Sequence, residues 1–180
     1  MIINGNLILH DSSIESLGKV KEVKGDLFLS NCEKLTSLGN LEEITGRISL
    51  FGVRFLRDLG KIKKIKNFLS LAFSLDLKSL GMLESTEKGL DLNRCFSLLS
   101  LGNLKTVGGD LDLRYCESLN DFGNLKKIYG DLYLIDCVKL KDLGKLEEIK
   151  GKIFINKSSG IYKKNLNNSR LQSKIVTYLN

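Results

Sequence analysis

The sequence predicts a repeat solenoid: a right-handed parallel β-sheet wound in about eight coils of 21 residues, with a C-terminal cap helix. Three observations carry this reading. Gly25, Gly46, Asn67, Lys88, Gly109, Gly130 and Gly151 fall at a constant step of 21. Each of the first six is followed by a close copy of x-L-x-L-x-x-C-x-x-L-x-x-L-G-x-L-x-x-I, as in GDLDLRYCESLNDFGNLKKIY from Gly109 to Tyr129, and after Gly151 the pattern fades past Ile155. Within each copy the apolar residues first alternate, then recur at steps of three.

The alternating part reads as a short strand. In Gly109–Tyr129, Leu111 and Leu113 alternate with Asp110 and Asp112, a period of two that buries one face. Eight such windows start near Leu7, Leu27, Ile48, Leu69, Leu90, Leu111, Leu132 and Ile153. Stacked in parallel at about 4.8 Å per coil, they give a body roughly 40 Å long. Leu119, Phe122, Leu125 and Ile128 suit a return path of turns, short 3₁₀ pieces or a partial helix with one edge inward. The glycine of the L-G-x-L turn recurs from Gly18 to Gly144, which points to positive φ or to close contact with a neighbouring coil.

Two places depart from the rule. The coil from Asn67 to Glu87 is bounded by Asn67 and Lys88 in the glycine column and carries Thr86 where its neighbours have Ile or Val. The first coil is one residue short between Leu9 and Leu17. The chain divides into a solenoid, residues 1–158, and a basic C-terminal segment, residues 159–180. There Ser169 would cap a short helix carrying Leu171, Ile175, Val176 and Leu179 on one face.

Composition narrows the function classes. The N-terminus has no basic start followed by a long apolar run, and no stretch approaches the roughly 18 apolar residues of a membrane span. The expectation is a cytoplasmic protein with no membrane partner. Residues 156–180 carry five of the seven net positive charges, so the body is nearly neutral and the high pI is weak support for nucleic-acid binding. Lys61, Lys63, Lys64, Lys66, Lys126 and Lys127 on the return path lie among Glu42, Glu43, Glu147 and Glu148, the pattern of a solvated face.

The L-x-L-x-x-C-x-x-L run resembles the cysteine-bearing leucine-rich repeat. The L-x-x-L-G-N-L-x-x-I-x-G-D-L-x-L stretch, Leu119 to Leu134, is similar to bacterial repeats related to receptor L domains. The resemblance covers about residues 5–155. It implies a binding scaffold whose partners dock on the strand face, and it implies no catalytic residue. The spacing of four from Ile128 to Leu132, where the usual repeat has three, implies a flatter horseshoe or a simple β-solenoid.

Chemistry-bearing residues are few. Cys32, Cys95, Cys116 and Cys137 share one column with Ser12, Val53, Ser74 and Ser158, which reads as a buried ladder of small side chains with hydroxyl or thiol bonds to backbone. Zinc sites use cysteine pairs two to four residues apart, and the chain has none. His10 is the single histidine, too little for a triad or an imidazole metal site. No metal, cofactor or catalytic set is expected.

The freely varying strand-face columns carry the functional information. Phe28, Phe51, Phe68 and Phe73 would form an aromatic cluster on the central coils. Asp91, Asp110, Asp112, Asp131 and Asp136 would form an acidic patch on the later coils, with Arg94, Arg114, Tyr115 and Tyr133 among them. Exposed aromatics beside arginine have the composition of a binding hot spot. The opposing reading is that Asp26, Asp110 and Asp131 only close turns at the G-D step. The expectation is a non-enzymatic protein-recognition module, of the effector, inhibitor or immunity type by analogy of architecture. It would be a monomer or weakly self-associating, and would bind a basic protein partner through its strand face. Nucleic-acid binding through the tail and the return-face lysines is the second reading.

Overall fold

The computed structural model describes residues 1–156, 159–161 and 173–178. All eight expected strands form where the alternation places them, from Leu7–Ile8 to Ile153–Asn156, and pair in parallel in coil order. Successive partners are 21 residues apart, as in Leu90↔Leu111 and Leu111↔Leu132. The short first coil loses its residue in the turn after the strand. Leu7 pairs with Leu27, 20 residues on, whereas the bridge at Ser16↔Ser37 is back to 21.

The residues at steps of three behave differently from the expected turns and 3₁₀ pieces. Leu119, Phe122, Leu125 and Ile128 are fully buried. Ile128 and its counterparts, however, belong to a second stack of two-residue parallel strands. This row has three strands (Ile2–Ile3, Glu22–Val23, Glu43–Ile44), then five from Lys64–Ile65 to Glu148–Ile149. Each coil is thus pinned at two places, which explains the spacing of four: Ile128 ends one strand and Leu132 begins the next. The atypical coil keeps this register. Thr86 is buried, pairs with Val107, and its hydroxyl donates to the Lys88 carbonyl at 2.8 Å.

The two glycine columns have different causes. All seven glycines from Gly18 to Gly144 in the L-G-x-L turn have φ between 55° and 62°. In each of these turns a Ser or Asp two residues earlier accepts the glycine N–H at 2.6–3.3 Å, as Ser100 does from Gly102 and Asp121 from Gly123. The G-D column instead answers to close approach. A Cβ on Gly130 would lie 2.5 Å from the backbone of Gly109 in the coil before it.

The C-terminal end corrects the sequence reading. Within the segment expected as a cap helix, Ile175–Tyr178 is a strand, paired parallel to Ile153–Asn156 as the ninth member of the main sheet. Ser169, Leu171 and Leu179, the other residues of that helix, lie outside the described residues. A strand does what a helix could not: it pairs the open backbone edge of the last coil. Ile, Val, Thr and Tyr also favour extended backbone. Among the described residues no helix is long and apolar enough to cross a membrane.

The cysteine ladder forms as expected. All four thiols are free and buried, and each donates to a backbone carbonyl of the preceding coil, as Cys116 does to Leu92 at 3.2 Å and Cys137 to Leu113 at 2.9 Å. Ser74 makes the same bond to Leu50 at 3.4 Å. Burial raises the Cys95 and Cys116 thiols far above the ordinary range and pushes Cys137 up to about 12. A thiol reagent at neutral pH is therefore expected to label none of the four in the native protein and all four once it is denatured. Fast labelling of Cys95 or Cys116 in the native state would contradict this packing.

Candidate protein-recognition surface

The aspartates of the expected acidic patch turn out to be engaged within the stack. Before four of the strands, the backbone N–H of the preceding residue is taken by an Asp or Asn side chain of the coil before. Asp131 N–H donates to Asp110 Oδ1 at 2.7 Å, Lys152 N–H to Asp131 Oδ1 at 2.7 Å, and Arg47 N–H to Asp26 Oδ1 at 2.7 Å. The G-D aspartates therefore do not close their own turns: each bonds the backbone of the next coil.

The others are bound too. Asp112 receives Arg114 through Nε at 3.0 Å, through Nη2, and through the backbone N–H at 3.0 Å. That bond holds the Arg114 guanidinium above its ordinary range. Asp136 accepts from Asn156 Nδ2 at 3.2 Å. Tyr133 stacks on Phe154 at 4.7 Å, lies under the Arg114 guanidinium at 5.5 Å and donates to Asp131 at 3.4 Å. The patch keeps its negative field, but Asp112 and the Oδ1 atoms of Asp110 and Asp131 are already used.

Asp91 is half-buried and pairs in register with Asp112. It accepts from the Asn93 N–H at 3.0 Å and the Ser70 hydroxyl at 3.3 Å. Desolvation raises its pKa above the ordinary 3.8, against the pull of its hydrogen bonds. The folded state thus holds this proton more tightly than the unfolded chain. The stability it contributes is full below that ordinary value and falls as pH rises through the folded pKa. Asp91→Asn, which keeps the acceptor for Asn93, is expected to raise the melting temperature at neutral pH by no more than about 3 °C, with the gain gone in acid. A loss at neutral pH would show that the charge is favourable in place.

The expected phenylalanine cluster is split. Phe51 and Phe73 meet with ring centroids 5.3 Å apart. Phe28 stacks instead on His10, at 5.6 Å. Phe68 sits at the other end of its strand, where its ring lies against Gly89; a Cβ there would be 3.1 Å from it.

The corner just after each strand has a backbone conformation that composition does not reveal. Asp11, Asn31, Gly52, Phe73, Arg94, Tyr115 and Asp136 occupy one column there, and all have φ between 54° and 71°. Asp, Asn and Gly tolerate this left-handed backbone, but Phe, Arg and Tyr do so at about 1 kcal/mol each. Those three lie on consecutive coils and stack. The Arg94 guanidinium is 5.3 Å from the Phe73 ring centre on one side and 5.1 Å from that of Tyr115 on the other. Gly52 leaves a gap in the same column, and a side chain there would strike Asn31 Oδ1 at 2.4 Å. The gap opens a groove of about 510 Å³ lined by Phe51, Phe73 and Leu75, with Asp11, Glu33, Lys34 and Arg54 around it. Phe55 and Phe96, exposed in the turns just beyond the cysteine column, extend the apolar character of this corner. Sequence reasoning passes over both, because it confines the search to the strand columns.

On the return face, lysine and glutamate pair between neighbouring coils: Lys105–Glu84 at 2.8 Å, Lys126–Glu147 at 3.0 Å and Lys66–Glu43 at 3.7 Å. Among the described residues, no group of three His, Cys, Asp or Glu could hold a metal ion. Comparison with known proteins finds no matching family model, no matching curated protein and no matching solved structure. The surface therefore has to be read from its own geometry.

Proposed function

We propose that this chain is a non-enzymatic protein-recognition module, leucine-rich-repeat-like in design, that docks a partner on its strand face and the left-handed corner beside it. The single observation that carries this reading is the Phe73–Arg94–Tyr115 stack. Three large side chains sit where the backbone disfavours them, on three successive coils, with Arg94 and Phe73 exposed. Backbone strain of this kind collects at binding sites, and aromatic–arginine composition is that of hot spots. The groove beside the stack, where Phe51, Phe73 and Leu75 lie among polar side chains, supplies contact area. The aspartates of the later coils favour a basic flank on the partner by steering rather than by direct bonds. Four free, hydrogen-bonded thiols suit a reducing compartment such as the cytoplasm. A module of this design fits an effector, inhibitor or immunity-type role by analogy of architecture.

The test is capture from a lysate of the source cell or its host, with wild type beside a Phe51→Ser/Phe73→Asn variant. Wild type is expected to retain a discrete protein that the folded variant loses. Retention of the same proteins by both, or of nuclease-sensitive material alone, would contradict the reading.

A further inference from the structure

We propose that Arg94 is the anchor of this surface and takes a carboxylate from the partner, while the groove at Phe51 and Phe73 receives an apolar side chain of the same segment. The proposal rests on the protein-recognition reading above and adds the chemistry of the contact.

The Arg94 guanidinium lies over the Phe73 ring of one neighbouring coil, at 5.3 Å, and over the Tyr115 ring of the other, at 5.1 Å. The edge of a guanidinium carries its N–H donors in a fork matched to a carboxylate. Among the described residues no acceptor bonds to this edge. Arg114, one coil on, makes the contrast: its fork is filled by Asp112. The stack also fixes the side chain before any partner arrives, so little rotamer entropy is lost on binding. The left-handed backbone beneath it is a cost that the other coils largely avoid with Asp, Asn or Gly. A stack maintained against that cost, with its donor edge empty, is built to receive an acceptor.

The neighbours decide which acceptor. Around the groove Asp11 and Glu33 are balanced by Lys34 and Arg54, and Asp91 and Asp112 lie on the same face, Asp112 already paired with Arg114. Among the described residues the corner column holds one cation, Arg94, beside Asp11, Asn31, Gly52, Phe73, Tyr115 and Asp136, so it offers a phosphate chain a single anchor. It tolerates a single carboxylate clamped at one point beside an apolar side chain. A protein segment offers that combination.

The experiment selects a displayed random-peptide library on the full chain, then compares the selected peptides on wild type, Arg94→Gln and Arg94→Lys, with thermal unfolding of each as the folding control. Selected peptides are expected to share an Asp or Glu next to an aromatic or aliphatic residue. Arg94→Gln should weaken them about tenfold or more, the loss expected of a charge-assisted pair. Changing the peptide's acid to its amide should cost the same, with little added loss on Arg94→Gln. Arg94→Lys should restore only part, since an ammonium has no planar fork. Peptides that bind without an acidic position, or that ignore Arg94→Gln, overturn the anchor and leave protein recognition standing. Arg94-dependent binding of a single-stranded oligonucleotide overturns it in favour of phosphate. A folded chain that selects no peptide counts against both the anchor and the reading beneath it.

Discussion

Gly123→Ala is expected to destabilise the protein by about 3 kcal/mol or more, while Gly102→Ala, the same position one coil earlier, costs only about 1 kcal/mol. Both glycines have left-handed backbone, with φ of 57° and 56°, so both substitutions carry the same conformational cost. The difference lies in what the new methyl meets. On Gly123 it would fall 2.4 Å from the Gly102 carbonyl oxygen and 2.6 Å from its nitrogen, whereas on Gly102 nothing lies within 4 Å. Backbone in a hydrogen-bonded stack cannot swing aside as a flexible side chain can, so the two coils must separate locally. Each coil of a solenoid is held mainly by its neighbours, and the damage falls on that interface. Denaturant unfolding of the two variants measures the contrast directly. Equal losses would mean that the coil spacing at this turn has slack.

The second large effect is at Phe122. It is fully buried in a column that is Leu in the other coils, from Leu17 to Leu143. Phe122→Ala is expected to cost about 3–5 kcal/mol, because the coils on either side cannot close over the space. Phe122→Leu restores the side chain the column ordinarily uses and should cost less than about 1.5 kcal/mol. A comparable loss for both would show that the sixth coil is shaped specifically around the ring.

Much of the architecture is legible in the sequence because the buried residue of each main strand is followed, two positions on, by another on the same side. Leu111 and Leu113 reveal a period of two, and a period repeated eight times is hard to mistake. The second row of strands is illegible for the same reason reversed. A two-residue strand such as Lys127–Ile128 buries one side chain, and one residue has no period. The C-terminal strand reads as a helix although Ile175, Val176, Thr177 and Tyr178 are all strand-favouring residues. The spacing of Leu171, Ile175, Val176 and Leu179 also fits a helix, and only the open edge of the last coil decides between them.

The candidate site is legible in part. Phe51, Phe73, Arg94 and Tyr115 stand out as surface residues, but not as a stack. The left-handed column holds six residue types, so nothing in composition marks its backbone. The aspartates can be found but their role cannot, since a carboxylate that bonds an amide 21 residues away looks the same in sequence as one facing solvent.

The central claim is that the corner side chains are kept for binding and against the backbone's preference. The most direct measurement compares wild type with a Phe73→Asn/Arg94→Asn/Tyr115→Asn variant in thermal unfolding and in partner retention. Asparagine relieves about 1 kcal/mol of strain at each position, and the lost ring and guanidinium contacts cost about 0.5–1 kcal/mol each at an exposed site. The account predicts a melting temperature equal to or above that of wild type, with the partner lost. A variant that melts well below wild type and still retains the partner would contradict it, and would make the stack a structural element of the coils.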